Sequence, residues 1–236
     1  MNVPLKNVAL YGGSFDPLHL GHLAVARAAA DKFALDRVYF VPAGAQPLKT
    51  QQHVTSFEHR DAMLRLALAG EEKFVSSGLE SPATLQAAGV AAGYTIDTVA
   101  RLRQQLAPDT RLFLLMGVDA FQHIAKWRAA VELLQSVEFI VASRPGFALA
   151  DIAQALPSEL HPKADAVNEM LRAGCLQSGA VRIHLLPDVN QDVSATAIRR
   201  AAQLGQGLED LVPRAVADYI VRFGIYGGPS RPEPGQ

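Results

Sequence analysis

Short apolar runs take turns along this chain with longer stretches that carry an apolar residue every third or fourth position. That is the pattern of buried strands alternating with amphipathic helices. "NVALYG" (7–12), "RVYFVPA" (37–43), "RLFLLMG" (111–117), "VEFIVAS" (137–143) and "VRIHLLP" (181–187) predict strands, and "FVSSGLE" (74–80) a weaker one. A helix is expected over 19–33, with Leu23, Ala26, Ala30 and Phe33 on one face, and another over 56–69, with Phe57, Leu64 and Leu68 on one side. Thr95 is placed to cap a third, carrying Ile96, Val99, Leu102 and Leu106 inward. A helical stretch over 119–135 is interrupted near Trp127. Two more helices follow at 194–204 and 213–223, with Pro213 at a first helical position and Gly224 just past the end.

The stretch 147–180 breaks this rhythm. It holds Pro157 and Pro162, a helix pattern over 163–173 and no strand pattern, and reads as an insertion: a lid, or a contact within a homo-oligomer. No linker divides the chain, so 1–227 is expected to be one domain, and 228–236, rich in proline, a disordered tail. Strands alternating with helices imply an α/β fold, a parallel sheet with helices on both faces. Ligands in such sheets bind beyond the carboxyl ends of the strands, where the strand order reverses.

Composition narrows the functional classes. Of 236 residues, 49% are apolar, enough for a large core, and 22 Lys and Arg face 23 Asp and Glu. With no basic excess, a nucleic-acid partner is not expected, and any anion site must be local. Cys175 is the one cysteine, which rules out an internal disulfide and suits a reducing compartment. The N-terminus lacks the charged and apolar regions of a leader, and no run approaches the ~20 apolar residues of a membrane span. A cytoplasmic protein with no membrane partner is the expectation.

The chemistry concentrates where strands meet helices. After the first strand comes "GGSFDPLHLGH" (12–22): Gly12 and Gly13 allow a ligand close to the backbone, and His19 and His22 project from one side of the first helical turn. A helix N-terminus there supplies N–H groups and positive potential for a phosphate. A zinc site would need a third ligand, and His53 and His59 stand at no recognisable ligand spacing. "VSATAIR" (193–199) is a second candidate anion seat: Ser194 can cap, Thr196 adds a hydroxyl, and Arg199 lies one turn on. Asp119, after Gly117, can accept from ribose hydroxyls or simply favour the helix dipole. Trp127 can stack on an aromatic ligand or fill the core.

Taken together, these stretches resemble a known family. "GGSFDPLHLGHL" is similar to the GG[ST]FDPxHxGH signature of the nucleotidyltransferases with an HxGH motif, and "VSATAIR" to their distal ISSTxIR motif, with Ala195 in the second Ser position. "GYTIDTV" (93–99), "LLMGVDAF" (114–121), the tryptophan of "KWRAA" and "IVASRPG" (140–146) narrow the resemblance to the bacterial nicotinate-nucleotide adenylyltransferases. It covers roughly residues 6–146 and 181–227. It implies a Rossmann-like, doubly wound, mostly parallel sheet with a C-terminal helical extension. It also implies transfer of AMP from ATP to nicotinate mononucleotide, with Mg²⁺ held mainly by the ATP phosphates. His19, His22 and Arg199 are then the expected catalytic residues. Gly12, Gly13, Ser14, Phe15, Lys49, Gly117, Asp119, Ser194 and Thr196 are expected on the ATP side, and Asp16, Tyr94, Thr95, Trp127 and Arg144 on the mononucleotide side. The sequence departs from the family at "PAGAQPLK" (42–49), where Ala43 replaces the usual Asn and Leu48 the usual His, and in a longer approach to the Tyr-Thr pair. Phosphopantetheine or nicotinamide-mononucleotide transfer, and a non-catalytic nucleotide sensor, are the alternatives.

Overall fold

The computed structural model describes residues 4–44, 54–143, 149–162, 174–187, 189 and 193–227. β1 (Asn7–Gly13), β2 (Arg37–Pro42), β3 (Phe74–Ser76), β4 (Arg111–Gly117), β5 (Glu138–Ala142), β6 (Cys175–Ser178) and β7 (Val181–Leu186) form one sheet in the order β3-β2-β1-β4-β5-β7-β6. All neighbours run parallel except β6, which returns antiparallel along β7. The sheet is the Rossmann-like, doubly wound form that the sequence implied.

The side-chain period of two along each strand builds two cores at once. Val8 and Leu10 of β1, Leu112 and Leu114 of β4, and Phe139 and Val141 of β5 face one layer. Ala9 and Tyr11, Phe113 and Leu115, and Ile140 and Ala142 face the other. The first layer packs on α4 (Thr95–Arg103) and α6 (Ala130–Ser136) through Val99, Leu102, Leu133 and Leu134. The second packs on α1 (Leu20–Lys32), α2 (Phe57–Leu68) and the C-terminal helices. Among the described residues the remaining α-helices, in chain order, are α3 (Pro82–Ala87), α5 (Val118–Phe121), α7 (Leu149–Ala155), α8 (Ala195–Gln203) and α9 (Arg214–Arg222), with a closing 3₁₀ turn at Ile225–Gly227.

Several expectations need correction. Thr95 is the first helical residue of α4 rather than its cap; Tyr94 holds the extended cap position. The weak strand over 74–80 shrinks to three residues, and α3 follows, started by the Ser81 side chain on the Thr84 amide and by Pro82. Pro213 sits at the cap of α9, one position ahead of the helix. The stretch 147–180, expected to hold no strand, contains β6; its proposed helix over 163–173 lies outside the described residues, as does the tail 228–236. The interruption near Trp127 has a visible cause: Trp127 turns extended and Ala129 takes a left-handed φ of 50°, separating α5 from α6.

Candidate active site

The strand order reverses between β1 and β4, and a cavity of about 600 Å³ opens at their carboxyl ends. Gly12, Gly13 and Ser14 contribute from β1, Met116 and Gly117 from β4, Tyr94 and Thr95 from the start of α4, and Trp127 from the break before α6. A Cβ on Gly117 would meet nothing, so the bare backbone there keeps space open. The cavity therefore joins residues that the sequence assigned to two different substrates.

Three charged groups absent from the sequence reading also line it: Glu80, Lys126 and Arg128. Arg128 lies over the Tyr94 ring, 4.6 Å from its centroid, and pairs with Asp97 at 3.3 Å. Glu80 accepts from the Thr98 hydroxyl at 2.6 Å and from the Gly44 amide at 3.4 Å, so it ties α4 to the end of β2. A Cβ on Gly93 would overlap the Glu80 carboxylate, which explains a glycine directly before Tyr94.

Beside the cavity lies the β1–α1 junction. His19 caps α1 with extended backbone, and its amide donates to His22 Nδ1 at 3.3 Å. With Nδ1 accepting, the proton of a neutral His22 ring belongs on Nε2. The two imidazoles stack, 3.7 Å between centroids and 27° between planes. Burial lowers the His19 pKa from 6.5 to about 4. Burial, and then the proximity of His19, push His22 well below its usual value. Both rings are thus neutral near pH 7, and each offers one N–H. His19 Nδ1 is buried and has no hydrogen-bond partner among the described residues. Phe15, 2% exposed and at a left-handed φ of 45°, packs its ring against Tyr11, His22 and Phe40, so its side chain supports the histidines from beneath.

The distal motif arrives at the same junction. Ser194 accepts from the Ala197 amide and caps α8, and Thr196 stands exposed in the first turn. Arg199 Nη1 donates to the Asp16 carbonyl at 2.8 Å, and its Nη2 to the Thr196 hydroxyl at 3.2 Å. Asp16 itself is 5% exposed, and both carboxylate oxygens have internal partners: the Tyr226 hydroxyl at 2.8 Å and the Thr55 amide at 3.1 Å. Asp119 is exposed in α5 and is not among the residues lining the cavity. Lys49 and Arg144 lie outside the described residues.

The sequence reading missed Arg60. Only 2% exposed, it donates from Nε to the Thr55 carbonyl, from Nη1 to Ser14 and from Nη2 to Ala43, all within 2.8 Å. One guanidinium thus fixes the ends of β1 and β2 and the approach to α2. The signal was present: Arg60 occupies the apolar face of α2 between Phe57 and Leu64, where a charge needs several partners.

Comparison with known proteins gives the same picture. Residues 10–201 match the family model described as cytidylyltransferase-like. A protein of Symbiobacterium thermophilum named "probable nicotinate-nucleotide adenylyltransferase" is 39% identical over 222 residues, 94% of this chain and 96% of that one. A protein of Geobacter metallireducens with the same name is 34% identical over 219 residues, 92% and 96% of the two chains. The solved structure of Plasmodium falciparum nicotinic acid mononucleotide adenylyltransferase complexed with NaAD shares the fold, with a TM-score of 0.68 at 18% identity over 94% of this chain and 98% of that one.

Proposed function

The chain belongs to the nicotinate-nucleotide adenylyltransferases of the cytidylyltransferase-like family, and from that membership we propose how its residues move AMP from ATP to nicotinate mononucleotide, giving deamido-NAD and pyrophosphate. The carrying observation is the adjacency of two places: a cavity walled by Trp127, Tyr94 and Thr95, and a junction where His19, His22 and Arg199 converge. The pyridine ring stacks on Trp127, and the ATP phosphates lie along Gly12, Gly13 and the start of α1, beside Ser194 and Thr196.

The nucleophile is a phosphate monoester, whose second pKa is about 6, so near neutral pH it is already ionised. No general base is required. The enzyme's task is to align this oxygen with the α-phosphorus and to stabilise the charge that spreads over the phosphate oxygens. Neutral histidines suit the task because each donates an N–H without taking the nucleophile's place as an acid or base. Arg199 adds a permanent charge. ATP enters as its magnesium complex. In this reading the Mg²⁺ is carried mainly on the ATP phosphate oxygens and water, the coordination that this hard cation favours. The ion supplies charge neutralisation on the triphosphate. A cytoplasmic setting belongs to the same reading, supported by the single thiol.

Incubation with ATP, Mg²⁺ and either nicotinate or nicotinamide mononucleotide, following pyrophosphate, tests this. Release with the acid form is expected. ATP binding without release for any acceptor would leave only a nucleotide sensor.

A further inference from the structure

We propose that Tyr226 is a positioning residue for the triphosphate: its hydroxyl keeps the Asp16 carboxylate from capturing the Arg199 guanidinium. The inference rests on the reading of Arg199 as a phosphate ligand. Asp16 places a negative charge at the junction meant for an anion, and Arg199 Nη1 is already 2.8 Å from the carbonyl of that same residue. A side chain of two rotatable bonds needs only to turn for its carboxylate to take that guanidinium, the strongest donor nearby. Two donors prevent this, the Thr55 amide at 3.1 Å on Oδ2 and the Tyr226 hydroxyl at 2.8 Å on Oδ1.

Arg60 also lies near Asp16, but its guanidinium is held in place by three bonds, from Nε, Nη1 and Nη2, to the carbonyls of Thr55, Ser14 and Ala43, whereas Arg199 makes one such bond, to Asp16 itself. The hydroxyl of Tyr226 is a dependable donor: burial, and then the charge of Asp16, raise its pKa far above the usual phenol. The chain also bends to place it. Tyr226 has a φ of 71°, a left-handed conformation uncommon for a bulky residue, in the turn Ile225–Gly227 that follows α9. The ring packs against the core, and that conformation brings its hydroxyl onto one oxygen of the Asp16 carboxylate.

The test is a double-mutant cycle read by calorimetric titration with the Mg²⁺ complex of a non-hydrolysable ATP analogue. Tyr226→Phe should weaken binding at least fivefold. In an Asp16→Asn background, where no carboxylate competes, the same change should weaken it less than twofold. In an Arg199→Ala background it should again be under twofold, because the contested guanidinium is gone; this arm also serves if Asp16→Asn folds poorly. Equal weakening in all three backgrounds would mean that Tyr226 only packs, and an unchanged affinity in Tyr226→Phe would equally overturn the proposal. Coupling of this kind in a protein that releases no pyrophosphate would uphold the positioning role while removing the proposed reaction.

Discussion

His22 spends one ring nitrogen on the His19 amide, so its outward nitrogen is a donor whose direction is set before any ligand arrives. Donors fixed in advance at developing charge are worth about 10²-fold or more in rate. His22→Ala should therefore lower kcat by about 10²-fold with an unchanged circular dichroism spectrum, and a near-normal kcat would remove the role. Arg60 works through backbone instead. Arg60→Met takes the guanidinium donor from three part-buried carbonyls and should cost roughly 3 kcal/mol in urea unfolding. Arg60→Lys should restore only part of that, since the three N–H groups of one nitrogen cannot span acceptors that the guanidinium meets from three separate nitrogens. The histidine pair was legible in the sequence because two imidazoles after a Gly pair have few structural uses. Glu80 and Tyr226 were not, since the partners lie 18 to 210 positions away along the chain; Arg60 showed only as a charge on an apolar helix face, its partners being set by the fold.

Helices deliver these residues, and their caps set how firmly. Ser194 satisfies the Ala197 amide at the start of α8, so Ser194→Ala should cost about 1 kcal/mol of stability. Arg199→Ala should raise the KM for ATP without a selective change in that for the mononucleotide; a rise confined to the mononucleotide would contradict its place on the triphosphate. Long periodic elements were read almost to the residue: β4 agrees at both ends, and α1 and α2 to within one. Short ones escaped. "CLQS" has too few residues for a period of two to show, and becomes a strand only because β7 lies beside it. α3 has one buried side chain, Leu85, and is defined by its cap and Pro82 rather than by an apolar face.

At the scale of the molecule, the buried histidines make stability depend on pH. Free in an unfolded chain, His19 titrates near 6.5, and in the fold near 4. Between those values the unfolded state binds more protons, so stability falls as pH drops. The melting temperature should be highest above pH 6.5 and decline toward pH 4, and His19→Asn should flatten that slope. A melting curve independent of pH over this interval would show that His19 is not held neutral by the fold. The parallel sheet was implicit in the alternation of elements, whereas the strand order, and with it the reversal point between β1 and β4, is a tertiary fact, set by which strands find β1.

The Asp16–Tyr226 bond spans 210 positions. At 5–20 residues per second a ribosome needs roughly ten to forty seconds to travel from the first to the second. For that interval the nascent chain carries its glycines and histidines with Asp16 among them, one carboxylate oxygen still lacking the Tyr226 hydroxyl. Full nucleotide affinity should therefore appear only after residue 226 has been made and has reached the β1–α1 junction.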